Sequence, residues 1–135
     1  MSKELQYPCK ETIDRLVKDL HLNHVNQYTQ DWEIEVADSD YLSEYIEYYN
    51  SQSLNYNEKS TLMRIILEAF NQYYIVNIKD NQYWSLIEKN IITDYYIHKD
   101  TVQYWCCDGE ELDDSFAITY LVRNIKKKMV DSKTY

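Results

Sequence analysis

Glycine and proline are almost missing from this chain: Gly109 and Pro8 are the only ones in 135 residues. A loop that cradles a phosphate needs backbone that reaches positive φ and lets a ligand approach closely. Neither a P-loop nor a glycine-rich dinucleotide-binding motif can therefore be written here. Long apolar runs are lacking too. The longest, such as Ile65-Ile66-Leu67, are far too short for a membrane-spanning helix. The polar start Met1-Ser2-Lys3-Glu4 has no apolar signal region behind it, so the expectation is a soluble, cytoplasmic protein. Cysteine is scarce and odd in number, three in all with two adjacent at Cys106-Cys107. That spacing offers no disulfide framework and fits thiols packed as small residues in a reducing compartment.

Arginine is rare as well, with only Arg15, Arg64 and Arg123, whereas tyrosine is abundant at 15. Tyrosine, isoleucine, asparagine and lysine share A/T-rich codons, so the excess points to an A/T-rich bacterial or phage genome before it points to tyrosine chemistry. Charge is unevenly distributed. Of 23 acids, nine fall between Asp19 and Glu58, where there is no lysine or arginine; the other 14 are balanced by the 14 bases. The formal net charge of -9 thus resides in one stretch. Its field repels phosphate backbones and anionic lipid, disfavouring direct nucleic-acid or membrane binding, and it steers a basic partner.

Apolar spacing predicts a mainly α fold. A first helix opens at Pro8 and runs to about Leu22, with Ile13, Leu16, Val17 and Leu20 on one stripe. Trp32-Glu33-Ile34-Glu35-Val36 alternates like a short strand, although a helical turn or an extended linker fits so brief a segment equally. Asp38 and Ser39 cap a second helix bearing Leu42, Tyr45, Ile46 and Tyr49, with Asp40 and Glu44 near its positive end. The clearest helix opens at Asn55, with Glu58 three residues on, and carries Leu62, Met63, Ile66, Ala69, Phe70 and Tyr73. A fourth, capped by Asp80, places Trp84, Ile87 and Ile91 together.

Tyr95-Tyr96-Ile97 and Thr101-Val102-Gln103-Tyr104-Trp105-Cys106 are β-branched and aromatic runs around His98-Lys99-Asp100. They predict a small hairpin with Val102, Tyr104 and Cys106 on one face, which sets Cys106 and Cys107 on opposite faces. A last helix, capped by Ser115 or Thr119, turns Ile118, Leu121, Val122 and Ile125 inward. Lys126, Lys127 and Lys128 lie toward its negative end, and residues 130–135 form a frayed tail. The expected architecture is a single compact domain, residues 1–135, of about five helices with a small β-hairpin near the C-terminal third.

Chemistry-bearing patterns are sparse. His21 and His24, with Cys9 near in sequence, begin a metal site, but His98, Cys106 and Cys107 complete no ligand spacing. The segment from Asp108 to Asp114 lacks the alternating acids and terminal glutamate of a calcium loop and reads as a solvated turn. No nucleophile motif is present, so neither metal, nucleotide cofactor nor catalysis is expected. What remains is acid interleaved with aromatic residues. Trp32, Glu33, Glu35, Asp40, Glu44, Glu47 and Tyr48 are the candidate partner-binding residues, set against the alternative of tyrosines in the core and an ordinary wet face.

Gln30-Asp31-Trp32-Glu33-Ile34-Glu35-Val36-Ala37-Asp38 and Glu58-Lys59-Ser60-Thr61-Leu62-Met63-Arg64-Ile65-Ile66 resemble a pattern in small uncharacterised bacterial proteins. Some of these group with polymorphic-toxin immunity proteins. Tyr104-Trp105, Asp114-Ser115-Phe116-Ala117-Ile118-Thr119 and Arg123 fit the same pattern. The resemblance implies a bacterial cytoplasmic protein and toxin neutralisation, and it carries over no functional residue. The leading expectation is an immunity-type inhibitor whose acidic surface occludes a basic toxin. A DNA-mimic inhibitor of a nucleic-acid-binding protein and an enzyme with an unrecognised site are the alternatives.

Overall fold

The computed structural model describes residues 8–22, 32–77, 80 and 82–131. Seven α-helices occur among them: α1 (Lys10–Leu20), α2 (Trp32–Val36), α3 (Leu42–Ser51), α4 (Tyr56–Val76), α5 (Trp84–Thr93), α6 (Tyr95–Cys106) and α7 (Thr119–Asp131). Short 3-10 turns stand at Ser39–Tyr41 and Leu112–Asp114. No strand occurs among the described residues, and no helix there is long and apolar enough to cross a membrane. Of the expected frayed tail, residues 130–135, Val130 and Asp131 instead continue α7, while residues 132–135 and the segment holding His24 lie outside the described residues.

Contacts divide the chain into two compact units, Met1–Ala69 and Phe70–Tyr135, with α4 contributing residues 56–69 to the first and 70–76 to the second. In the first unit α1 buries Ile13, Leu16 and Val17. It opens two residues later than the proline suggests, with Cys9 at its N-cap. It ends at His21, whose backbone is left-handed (φ 56°) and whose N–H bonds to the Val17 carbonyl. Glycine ordinarily occupies such a closing position because a Cβ is crowded there. With one glycine in the chain, His21 and Cys107 (φ 48°) take it instead.

Helix α4 begins with a reciprocal cap: Asn55 N–H donates to Glu58 Oε1 at 2.9 Å, and Glu58 N–H donates to Asn55 Oδ1 at 2.8 Å. Two orphan amides at the helix start are satisfied at once. From Ser60 to Phe70 every residue is buried except Arg64 and Glu68, which are half-buried. An amphipathic stripe alone would leave one face wet, whereas this stretch is enclosed nearly all round.

In the second unit Phe70 stacks on Trp84 at 5.5 Å, and the Tyr74 and Tyr120 hydroxyls share a hydrogen bond. Asp80, expected to cap α5, stands upstream of it and accepts from Gln82 N–H (3.0 Å) and the Tyr73 hydroxyl (3.0 Å). Tyr83 is the N-cap instead, without a side-chain bond. At α7, Thr119 Oγ1 accepts from Phe116 N–H at 3.1 Å. Ser115 turns back to donate to the Glu111 carbonyl at 2.8 Å.

The expected β-hairpin is absent. Residues Tyr95–Cys106 form one helix, with His98, Lys99 and Asp100 inside it rather than at a turn. The buried set is Ile97, His98, Thr101, Val102, Trp105 and Cys106, a stripe at helical spacing. Val102 and Cys106, four apart, share the inner face, while Tyr104 lies outside at 60% exposure. Strand propensity largely measures packing on a half-buried pleated surface, and tertiary burial overrides it here. Likewise Trp32–Val36 is a helical turn, with Trp32 and Val36 inward and Ile34 outward at 49% exposure.

Candidate protein-binding surface

Two arginines sort the acids of the first unit. Arg15 on α1 lies with Nη1 2.9 Å from Glu58 Oε1 and 3.2 Å from the Ser53 carbonyl, and with Nε 3.5 Å from Asp19 Oδ2. Its guanidinium also sits 5.9 Å above the Tyr48 ring. Arg64 on α4 places Nη2 2.9 Å and Nε 3.0 Å from Glu33 Oε2, and Nη1 donates to Ser60 Oγ at 2.8 Å. Asp19, Glu58 and Glu33 are thereby neutralised inside the unit. These arginines fall outside the acidic stretch in sequence and fold back onto it.

The candidate residues consequently divide. Trp32 is fully buried, with an indole N–H that finds no partner among the described residues. Glu33 belongs to the Arg64 pair. Tyr48 is half-buried; its hydroxyl donates to Asp19 Oδ2 at 2.5 Å. Burial, reinforced by that bond to a carboxylate, pushes the phenol up to about 12, so Tyr48 stays a protonated donor at neutral pH. These three hold the unit together. Glu35 on α2, Asp40 in the 3-10 turn, and Glu44 and Glu47 on α3 are exposed. Asp40, Glu44 and Glu47 form no ion pair with a described residue.

A short run of chain thus presents acid on its outer side. Asp38 fixes the bend before α3, its Oδ1 accepting from Asp40 N–H at 2.9 Å, and Tyr45 anchors the helix from below through a 3.5 Å bond to the Val36 carbonyl. Ile34 and Tyr41, both 49% exposed, add apolar area to the same run. Neither was among the residues selected from sequence. The signal available was the four-residue spacing of Trp32 and Val36, which turns Ile34 outward once the segment is read as helix.

Among the described residues no three histidine, cysteine or acidic side chains gather to hold a metal ion. A shallow depression of about 230 Å³ is lined by Tyr95, Lys99, Asp100, Gln103, Met129 and Val130, none of them a candidate residue. It is smaller than pockets that enclose small ligands, which run from roughly 300 Å³. No family model, curated protein or solved structure matches this chain.

Proposed function

We propose that this chain is a protein-binding module that docks a basic partner on the α2–α3 shoulder. In its most specific form it is an immunity-type inhibitor that occludes the cationic surface of a toxin in the bacterial cytoplasm, without catalysis of its own. The observation that carries the reading is the sorting of charge by Arg15 and Arg64. Internal pairing uses up Asp19, Glu33 and Glu58, while Asp40, Glu44 and Glu47 stay at the surface, and Ile34 and Tyr41 of the same run of chain are exposed as well. Unpaired exposed acids do little for folding, but they accelerate encounter with an oppositely charged surface, and adjacent apolar area slows dissociation. The resemblance of the Trp32 and Arg64 segments to proteins grouped with toxin-immunity systems narrows the partner class to a toxin, such as a nuclease with a basic substrate site.

The test is co-expression with the product of the adjacent gene, followed by binding kinetics on the purified pair. Glu44→Lys with Glu47→Lys lowers the association rate by about tenfold or more at low salt, and added salt erases the difference because exposed charges are screened over about 8 Å at physiological ionic strength. Tyr41→Ala raises the dissociation rate instead. An acidic partner, or association unchanged by the two reversals at low salt, removes the electrostatic docking mechanism.

A further inference from the structure

The second unit carries a different surface, built where α6 ends and the chain crosses to α7. Tyr104 projects from α6 at 60% exposure, and its ring rests against Phe116 (5.7 Å between centroids) and the edge of Trp105 (5.9 Å). Trp105 and Phe116 are themselves 4.3 Å apart, and Trp105 is buried. An exposed tyrosine is thus backed by a packed aromatic floor. Thr119 locks that floor in place, accepting from Phe116 N–H and donating to the Trp105 carbonyl at 2.9 Å.

The connecting loop is fastened through its backbone and open through its side chains. Arg123 donates to the carbonyls of Cys106 (2.6 Å), Cys107 (2.8 Å) and Glu110 (3.0 Å), closing the C-terminus of α6 with its guanidinium. Ser115 holds the Glu111 carbonyl. Glu110, Glu111, Leu112, Asp113 and Asp114 are all exposed, Leu112 at 53%. None of these four acids forms an ion pair with a described residue. Asp114 is two residues from Phe116, so its Cα lies within about 7 Å of the ledge's own backbone.

We propose that the Tyr104–Phe116 ledge, with the exposed acids Glu111 and Asp114 on the loop that leads into Phe116, is a docking surface for an arginine-bearing protein segment. The occupant follows from charge complementarity. An aromatic face attracts a cation through its quadrupole, nearby carboxylates accept the guanidinium hydrogen bonds, and Leu112 offers area to the aliphatic stem. Arginine suits the site better than lysine because its planar group stacks and hydrogen-bonds together. The chain itself supplies the precedent: in the first unit Arg15 lies over Tyr48, whose hydroxyl is bonded to Asp19. Because the loop is already pinned, binding costs little ordering of the backbone.

The experiment uses the whole chain and a defined probe, the peptide acetyl-Arg-Gly-Arg-Gly-Arg-amide, followed by amide NMR at low salt. Shifts concentrated at Tyr104, Trp105 and residues 111–116 are expected. Tyr104→Leu should weaken binding about threefold to fivefold while Tyr104→Phe retains it, the scale of an exposed cation–aromatic contact. The lysine counterpart of the peptide should bind more weakly. If Tyr104→Leu alters the circular dichroism, Glu111→Gln with Asp114→Asn decides: weaker binding supports the surface, and unchanged binding overturns it. Shifts spread evenly over all exposed acids, or confined to residues 35–47, also overturn it, because both mean general charge attraction without the ledge.

Discussion

Arg64 and Glu33, 31 residues apart in sequence, meet edge-on, with Nε and Nη2 of the guanidinium 3.0 and 2.9 Å from a single carboxylate oxygen. Both side chains are mostly shielded, at 23% and 12% exposure. A charge in that setting depends on its partner, since removing one side leaves the other poorly solvated. Glu33→Gln should therefore lower folding stability by about 1.5–3 kcal/mol, the range for a hydrogen bond to a charged group, as read by urea denaturation. Glu44→Gln on the exposed face should change it by less than about 0.5 kcal/mol. Equal effects would mean that the arginines do not separate structural acids from surface acids.

The helix of residues 95–106 supplies the second prediction. Lys99 is exposed and lies inside α6, where proline removes a backbone donor and clashes with the preceding turn. Lys99→Pro should cost about 3 kcal/mol or more, visible as a large loss of thermal stability. A loss under about 1 kcal/mol would mean that residue 99 does not lie inside a helix.

That segment also marks where the sequence ceased to be legible. Helices α1, α3, α4, α5 and α7 were readable because each carries aliphatic residues at helical spacing, and α4 also announces its start through Asn55 and Glu58. In α6 the inner face is built from Ile97, His98, Thr101, Val102, Trp105 and Cys106, types that favour strands or carry little hydrophobic signal. Two clues pointed the other way: His98-Lys99-Asp100 contains no glycine, proline or asparagine to make a tight turn, and the apolar residues recur four apart as well as two. The candidate site was legible as charge and opaque as geometry. Glu35, Asp40, Glu44 and Glu47 are exposed, but nothing local in sequence reveals that Arg64 returns to Glu33 or that Asp19 holds Tyr48. The aromatic ledge was hidden because Tyr104 and Phe116 meet only if residues 95–106 are helical.

Scarcity of glycine has a measurable consequence at His21. Its left-handed backbone ends α1, and its side chain is exposed, so replacing it removes strain at little expense in packing. His21→Gly should raise folding stability by about 1 kcal/mol, the scale of the penalty an L-residue suffers in that conformation. Thermal unfolding checks this. A destabilised variant would show that the histidine side chain, and not the backbone geometry, decides how α1 closes.

The last prediction concerns pH and the pair that ties α7 to the loop after α6. Lys126 Nζ lies 2.5 Å from Asp108 Oδ2 and 2.8 Å from Gln103 Oε1, and Gln103 Nε2 donates to the same aspartate oxygen at 2.6 Å. Hydrogen bonds from Lys126 and then Gln103 hold the Asp108 carboxyl below its ordinary value of 3.8, and the Lys126 ammonium is held above its own ordinary value by Asp108. A carboxylate whose folded pKa is depressed stabilises the fold at pH above the unfolded value, and that contribution drains away as pH falls through the folded value. Asp108 should thus titrate below pH 3.8 by carboxyl NMR. Lys126→Gln, which removes the charge and the strongest donor, should return it toward that ordinary value. Both groups are at the surface, so high salt should move the native protein part of the way to the same result. An Asp108 carboxyl that titrates identically in the two proteins would mean that the Lys126 contact does not persist in solution.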